Sequence, residues 1–327
     1  RACRALPEPP EPKSLPADAL WHIPLPQSND LTDWGLLPRQ PDWAVDWPNR
    51  WQPGAEGARQ RLRHFLDQHL HDYANKRDFP GEPGTSRLSP HLHHGEISPR
   101  SVWHATREFA AEHPASQDAA DKFLAELGWR EFSYHLLTFF PEIPEKSFKA
   151  AFEEFPWSGT QAQLKAWQRG QTGYPIVDAG MRELWATGYM HNRVRMVTAS
   201  FLTKHLLIDW RAGERWFWDT LVDADLASNS AGWQWVAGSG ADAAPYFRIF
   251  NPTTQGERFD PAGEYVRHWV PELRNLPDKQ LHKPWDAPQA VLREAGVKLG
   301  DDYPEPIVDH RSAREAALAA YGHIKGK

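Results

Sequence analysis

The sequence predicts an all-α body preceded by a proline-rich segment. Three observations favour this fold class. Apolar residues recur at helical spacing from residue 58 onward, prolines and glycines stand where those segments begin and end, and no stretch alternates as a β-strand does. The chain has 327 residues and contains no run of about 18 apolar residues, so we predict no membrane span.

The first part of the chain differs in composition from the rest. Residues 1–57 carry 11 of the 29 prolines, which excludes long helices there. We interpret 1–57 as an interdomain linker or wrapping segment and 58–327 as one helical domain. Because aromatic side chains bury much area, the tryptophans of the segment predict that it packs on the globular body. These tryptophans are Trp21, Trp34, Trp43, Trp47 and Trp51.

Local signals indicate the helix boundaries in the second part. Ser98 followed by Pro99 is typical of a capped helix start, and Gly188 is typical of a helix end. Pro141 predicts the end of a long helix. The predicted helices cover an apolar face from Leu62 to Tyr73, a segment after Ser98, and residues 119–140, 175–188, 191–209, 214–226 and 312–324.

Charge and cysteine content limit the partners, the metal sites and the cellular location that the sequence allows. The net charge is −6, but residues 182–215 hold six Arg/Lys and three Asp/Glu and are therefore locally +3. DNA binding needs a local basic face rather than a basic total, so nucleic acid is not excluded. Cys3 is the only cysteine, which excludes an internal disulfide and any zinc site with two thiolates. A reducing, cytoplasmic location is expected.

Two short motifs suggest phosphate chemistry. Residues 85–90 (TSRLSP) place three hydroxyls and a guanidinium before a proline-opened helix, which suits a phosphate, although a plain helix cap by Ser89 with an exposed Arg87 is the alternative. Residues 238–243 (GSGADA) match a dinucleotide pattern. That pattern needs a strand before it and a helix after it, so we expect no Rossmann site here.

Other polar residues allow more than one interpretation. Asp223 and Asp225 suit either a metal or a polar helix end, and His91, His93 and His94 have no supporting ligand cluster. On one predicted helix face an acid, a large ring and a base recur at i, i+3 and i+4. These are Glu126, Trp129 and Arg130. A second helix face carries Asn192, Arg195, Met196 and Ala199. Each face is either a core edge or a pocket wall.

Tryptophan is the compositional outlier, with 17 residues in 327. A large helical core explains such a count, and so does stacking on bases or on a ring cofactor. The count by itself does not separate these explanations.

Longer motifs, in order along the chain, carry a family resemblance. They are YANKRDFP at 73–80, TSRLS at 85–89, WREF at 129–132, TGYPIVDA at 172–179, MHNR at 190–193 and the segment from Asp223 through Trp235 into APYFRIFNP at 244–252. The sequence resembles the photolyase/cryptochrome family, specifically class I cyclobutane pyrimidine dimer (CPD) photolyases. Members carry an α/β antenna-binding domain before the helical domain, and we expect that domain to be missing from this chain.

The resemblance implies FAD as the cofactor and DNA containing pyrimidine dimers as the partner of a monomeric protein. It also implies an antenna chromophore, of folate or deazaflavin type, on the missing domain. A metal is not implied. The residues whose positions match FAD contacts are Tyr73, Thr85, Ser86, Arg87, Leu88, Ser89, Asn192, Arg195, Asp223, Asp225 and Asn229. Arg195 is the expected ion-pair partner of Asp223, and Asn229 is expected to face flavin N5.

The resemblance also implies a lesion cavity and an electron relay. The residues that match lesion or DNA contacts are Glu126, Trp129, Arg130, Asn192, Arg193, Met196, Trp235 and Gln255. Trp157, Trp210 and Trp233 match the tryptophans that relay electrons to the flavin. Phe123 departs from the family, which often has Trp there; phenylalanine keeps the apolar ring and loses the indole N–H.

Three related functions are the alternatives to CPD repair. A cryptochrome uses the same flavin fold as a blue-light receptor and is free to lose lesion residues, whereas this chain keeps them. Enzymes for (6-4) photoproducts use histidines where this chain has Asn192 and Met196. The branch that acts on single-stranded DNA tends to have Tyr in place of Trp235.

Overall fold

The computed structural model describes residues 5–10, 27–37, 40–243 and 247–325. Within these ranges the chain is helical, without a β-strand, and has one isolated bridge between Leu299 and Tyr303. The all-α prediction is therefore confirmed. No helix in the same ranges is both long and apolar enough to cross a membrane. Cys3, Trp21 and residues 244–246 of the last family motif lie outside the described residues.

The helices of the described ranges follow each other through short turns. They are α1 (Trp47–Arg50), α2 (Ala55–Gln68), α3 (Tyr73–Lys76), α4 (Ser89–His93), α5 (Pro99–Glu112), α6 (Gln117–Phe139), α7 (Gln161–Gln168), α8 (Pro175–Thr187), α9 (Asn192–Ser200), α10 (Trp210–Thr220), α11 (Leu226–Ala237), α12 (Pro252–Phe259), α13 (Glu264–Trp269), α14 (Asp278–Leu281), α15 (Gln289–Ala295) and α16 (His310–Lys325).

Several predicted boundaries are confirmed by the capping geometry. The Ser98 side chain accepts the backbone N–H of Arg100 at 3.1 Å, and α5 begins at Pro99. Helix α6 ends two residues before Pro141. Helix α8 begins at Pro175 and is terminated by Gly188, whose φ of 69° lies in the left-handed region that favours glycine.

The apolar face from Leu62 to Tyr73 is not one continuous helix. Helix α2 ends at Gln68, and a 3-10 turn over Leu70–Asp72 leads into α3. Leu62, Leu70 and Tyr73 nevertheless lie in the same buried cluster. The spacing therefore identified core residues correctly but did not detect the break between them.

Two later boundaries were predicted wrongly. Helix α9 ends at Ser200 and continues as a π-helical turn over Phe201–His205, short of residue 209. The prediction over 214–226 spans the end of α10, a loop and the first residue of α11. The observed starts of α10 and α11 are explained by aspartate N-caps. Asp209 accepts the N–H of Arg211 at 2.9 Å, and Asp225 accepts the N–H of Ser228 at 2.8 Å.

Two apolar clusters form most of the core. One joins α2, α3, α5 and α6, and the other joins α8, α9, α10, α11 and α13. Phe123 belongs to the first, with its ring centroid 4.6 Å from that of Phe65, and Trp233 belongs to the second. Helix α6 also packs on α11. A cavity between the clusters is thus walled by helices from both.

Part of the proline-rich segment packs on the helical body, whereas residues 27–37 are exposed and the prediction is wrong for Trp34, which is 58% exposed. The Trp51 indole N–H donates to the backbone oxygen of Thr187 at 2.8 Å, and Trp43 stacks on Trp185 with a centroid distance of 5.1 Å. These contacts fix the segment against α8, as its tryptophans predict. Helix α2 begins at Ala55, three residues before the predicted domain start.

Candidate active site

One cavity of about 680 Å³ lies between the two apolar clusters. Its size falls within the usual range for cofactor and ligand sites. Four parts of the chain supply most of its lining: the 85–89 turn, one face of α6, one face of α9, and α11 with the residues just before it. The residues singled out from sequence that line it are Tyr73, Thr85, Ser86, Arg87, Leu88, Ser89, Glu126, Trp129, Arg130, Asn192, Arg195, Met196, Asp223, Asp225, Asn229, Trp233 and Trp235.

The 85–89 turn presents hydroxyls and a guanidinium to this cavity. Arg87 has a φ of 50°, which is uncommon for a residue with a side chain and marks stored backbone strain. Its guanidinium lies 5.1 Å from the Tyr189 ring centroid. Leu88, not Ser89, occupies the N-cap of α4, and no side chain caps that helix. Ser89 therefore does not cap α4, whereas Arg87 is exposed, as that alternative expects. The Ser86 hydroxyl accepts the backbone N–H of Leu88 at 3.4 Å.

An ion pair joins α9 to the loop before α11. Both oxygens of Asp223 lie within 3.0 Å of Arg195 Nη2, and Arg195 Nε donates to the backbone oxygen of Met190 at 2.7 Å. The carboxylate is buried, so losing its partner leaves an uncompensated charge. This is the pair expected from sequence. It holds the cavity wall in one arrangement.

Asp225 serves as the N-cap of α11 rather than as a metal ligand. Its Oδ1 accepts the Ser228 N–H, while Oδ2 accepts the Tyr134 hydroxyl and lies 3.4 Å from His93 Nδ1. In the ranges that the structure describes, no group of three or more His, Cys, Asp or Glu side chains is placed to hold a metal ion. The metal interpretation of Asp223 and Asp225 is thus not supported.

Asn229 is oriented by α10. Its side-chain nitrogen donates to the backbone oxygen of Glu214 at 3.0 Å, so the amide oxygen is the group left to accept a hydrogen bond from a ligand. Glu214 itself is buried and accepts the Ser230 hydroxyl. Burial raises the pKa of the Glu214 carboxyl to about 7. A titratable group therefore lies directly behind the Asn229 amide.

The opposite end of the cavity combines apolar rings with ionic groups. The predicted faces of α6 and α9 both open into the cavity, and Trp129 is 52% exposed at its rim. Glu126 pairs with Arg77, whose Nη1 lies 2.6 Å from Oε1. Gly232 on α11 lines the same space, and a Cβ there would meet nothing within 4 Å. A planar group can therefore approach this part of α11 closely.

Two predicted DNA contacts, Arg193 and Gln255, do not line the cavity. Arg193 pairs with Asp78 at 2.9 Å, and its guanidinium lies 4.3 Å from the Phe259 ring centroid. Gln255 lies on α12, with its side-chain oxygen buried and without a partner among the described residues. The family resemblance grouped these residues with the lesion set, and neither is among the residues that line the cavity.

The three relay tryptophans occupy different depths. Trp233 lines the cavity, Trp210 is fully buried, and Trp157 is partly buried with its ring centroid 4.4 Å from that of Phe155. Gly213 lets α10, which begins at Trp210, pack directly on Trp233: a Cβ on this glycine would lie 2.1 Å from the Trp233 ring. The family resemblance implies the relay order.

Sequence reasoning missed several residues of the site. Trp167 is fully buried, and its ring centroid is 6.2 Å from that of Trp233. Arg77, Tyr134 and Glu214 contact predicted site residues from other helices. The YANKRDFP motif contains Arg77 and gave a usable signal. The others touch the site only through tertiary contacts, for which a single sequence carries no pattern.

The fold and the cavity define a helical protein built to hold a ring-containing nucleotide cofactor. Residues 123–323 match the family model described as the FAD binding domain of DNA photolyase, and the chain belongs to this family. The all-α architecture is that of the family's FAD-binding domain.

Three relatives illustrate the similarity. A deoxyribodipyrimidine photo-lyase from Agrobacterium fabrum is 59% identical over 314 residues, which are 96% of this chain and 64% of that protein. The crystal structure of a bacterial class III photolyase from Agrobacterium tumefaciens superposes with a TM-score of 0.90 at 58% identity, covering 96% of this chain and 64% of that one. Cryptochrome-2 from Arabidopsis thaliana is 46% identical over 281 residues, 84% of this chain and 46% of that protein. This chain thus spans less than two thirds of these relatives.

Proposed function

We propose that this chain carries out light-driven repair of cyclobutane pyrimidine dimers in DNA, with FAD held in the cavity. This proposal depends on one observation. The residues suited to a cofactor and those suited to a flipped-out pyrimidine dimer all line the same continuous cavity. Electron transfer between two groups requires that they lie close together, and two groups bound in one cavity would meet this requirement.

The donor set of the cavity fits FAD. The hydroxyls of Thr85, Ser86 and Ser89, with the Arg87 guanidinium, suit a diphosphate, while Leu88 and Phe123 offer apolar surface to a ring. When bound and reduced, FAD supplies the light absorption and the electron. The protein supplies position and electrostatics. The amide oxygen of Asn229 is oriented to accept an N–H from the ring system.

The rim residues suit a dimer that has been flipped out of the duplex. Trp129 and Trp235 form apolar walls for rings that have lost aromaticity, and Asn192 and Met196 complete the pocket. Flipping costs a few kcal/mol and less for a damaged base, which favours the lesion. We propose that Glu126, whose carboxylate pairs with Arg77, accepts a hydrogen bond from a pyrimidine N–H of the dimer.

Arg130 and Arg193 are proposed phosphate contacts, and Gln255 on α12 is a proposed DNA contact. Such contacts set the position of the duplex without reading its sequence. Of the three, only Arg193 lies in the locally positive stretch over 182–215, where Lys204 is buried and most arginines pair with carboxylates. Trp157, Trp210 and Trp233 are the proposed relay that reduces the cofactor. An antenna chromophore of folate or deazaflavin type, bound outside the span of this chain, completes the proposal.

Two questions distinguish the candidate functions: which class of photolyase the chain resembles, and whether it repairs DNA or acts as a blue-light receptor. The class I assignment stays a prediction, and the 58% identity to a class III photolyase structure favours class III instead. A cryptochrome-type blue-light receptor is the second candidate, supported by the 46% identity to Cryptochrome-2. The complete set of rim residues favours repair, because a receptor does not need a lesion pocket.

The test measures dimer loss from thymine-dimer duplex DNA incubated with the FAD-loaded, reduced protein. We expect loss under blue light and none in darkness. Light-independent loss, or intact dimers with a reduced flavin, would overturn the proposal. Glu126→Gln should lower dimer affinity by about fivefold, the value of one hydrogen bond. Glu108→Gln, an exposed carboxylate on α5, should behave as the native protein does.

A further inference from the structure

Three side chains form a hydrogen-bonded chain between the two ends of the cavity. Arg130 and Tyr134 lie one turn apart on α6, and Asp225 lies at the start of α11, 91 residues further along the sequence. The Tyr134 hydroxyl donates to Asp225 Oδ2, and Arg130 Nη2 donates to the Tyr134 oxygen at 3.3 Å. Arg130 and Asp225 line the cavity, while Tyr134 connects them from behind.

Tyr134 is suited to transmit charge along this chain. A phenol has one O–H to donate and an oxygen that accepts, and here both are used. The Arg130 guanidinium also covers the ring, with its carbon 4.5 Å from the centroid. Linked hydrogen bonds polarise each other, so a cation on the oxygen makes the phenol a stronger donor to the carboxylate. Arg130 Nη1 also pairs with the Glu131 carboxylate at 2.9 Å, which leaves Nη2 to contact the Tyr134 oxygen. A group that binds Arg130 would therefore change how strongly Tyr134 donates to Asp225.

The two oxygens of Asp225 have separate partners. Oδ1 accepts the Ser228 N–H at 2.8 Å and caps α11, whereas Oδ2 depends on Tyr134 and on His93 at 3.4 Å. Although burial raises the pKa of Asp225, the hydrogen bonds from Tyr134 and Ser228 prevail and hold it below its usual value. Tyr134 is 37% exposed, so its ring contributes little to the core. Removing its hydroxyl should alter the charge at Oδ2 and leave the helix cap intact.

We propose that Tyr134 is a positioning residue that couples DNA binding at Arg130 to the electrostatic field of Asp225 on the flavin. This inference rests on the proposed function. A DNA phosphate at Arg130 competes with the phenol for the guanidinium, which weakens the polarisation of the Tyr134–Asp225 hydrogen bond. Coupling between two equilibria is reciprocal. If DNA binding changes the reduction equilibrium of the flavin by some factor, reduction of the flavin must change the affinity for DNA by the same factor.

The experiment compares dimer-duplex Kd for the oxidised and the fully reduced FAD-loaded protein, before and after Tyr134→Phe. We expect the native Kd ratio to be about fivefold or more, the lower end of measured couplings, and to fall below about twofold in Y134F. The shift of flavin absorbance on DNA binding should shrink in parallel. A variant that only loosened the fold would change both Kd values equally. Tyr321→Phe, the same chemical change on α16, should keep the native ratio.

Arg130→Gln provides a second route if Y134F folds poorly. It removes the cation from the same chain, so it should also abolish the redox dependence, and the double variant should show no further change in the ratio. A native ratio near one, or an unchanged ratio in Y134F, would overturn the role of Tyr134 while dimer repair persists. If the native protein neither binds nor repairs dimers, the proposed function itself fails.

Discussion

Arg193 and Asp78 form an ion pair with 2.9 Å between Nη2 and Oδ1, and their side chains are 17% and 36% exposed. A residue proposed to meet DNA phosphate is thus held by a carboxylate in the DNA-free protein. If Arg193 contacts DNA phosphate as proposed, this carboxylate would compete for the same guanidinium. We therefore expect Asp78 to reduce the affinity of the protein for undamaged duplex.

Asp78→Asn should therefore raise the affinity for undamaged duplex by about two- to fivefold, because it removes one negative charge and releases Arg193. The salt dependence of binding should steepen by about one unit of slope, as for one additional phosphate contact. Fluorescence anisotropy across a salt series measures both quantities. Asp121→Asn, which breaks the exposed pair with Arg107, is the matched control and should change neither. Weaker binding by D78N would show that Asp78 orients Arg193 rather than competing for it.

The raised pKa of Glu214 predicts a pH-dependent stability. Its usual value is 4.5 and burial raises it to about 7, so the folded state holds this proton more tightly than the unfolded state does. The resulting stability is complete below about pH 4.5, decreases as pH rises, and is lost once pH passes about 7. Glu214→Gln mimics the protonated form.

Chemical unfolding at pH 5, 6, 7 and 8 measures this effect. E214Q should match the native protein at pH 5 and exceed it in free energy of unfolding at pH 8. Glu108→Gln should follow the native curve throughout. Parallel curves for the native protein and E214Q would mean that Glu214 is ionised in the folded protein over the whole range.

Trp233→Phe should block photoreduction of oxidised FAD and leave repair by chemically reduced protein largely intact. The reason is that the relay serves to reduce the cofactor, while repair needs an already reduced one. Flavin absorbance during illumination measures the first activity and dimer loss the second. Trp103→Phe on α5, outside the proposed relay, serves as the control. Equal loss of both activities would contradict the relay assignment.

Gly213→Ala should destabilise the fold by about 1–3 kcal/mol, the usual effect of overpacking a core. Its Cβ would lie 2.1 Å from the Trp233 ring and 2.6 Å from Leu202 Cδ2, and neither group is at a flexible surface. Gly322→Ala in α16 meets nothing within 4 Å and should stabilise the protein by about 0.5–1 kcal/mol. Urea unfolding of both variants checks the contrast. A neutral G213A would show that α10 and α11 can separate without cost.

The sequence by itself determined the fold class, several helix starts and the residues on the two helix faces singled out for the site. Ser98-Pro99, Pro175 and Gly188 act through hydrogen bonds and dihedral angles within a few residues, so a single sequence is enough to recognise them. The i, i+4 spacing likewise placed Glu126 with Arg130, and Asn192 with Met196, on the faces that line the cavity.

Only the tertiary structure decided which helices face each other. Tyr134 meets Asp225 across 91 residues, Arg77 meets Glu126 across two other helices, and Trp233 meets Trp167 instead of being isolated in the core. Arg193 and Gln255 do not line the cavity, which the family resemblance alone could not reveal. Such contacts depend on how packed helices cross, and helical periodicity fixes the direction of a side chain around its own axis but not the identity of the neighbour it meets.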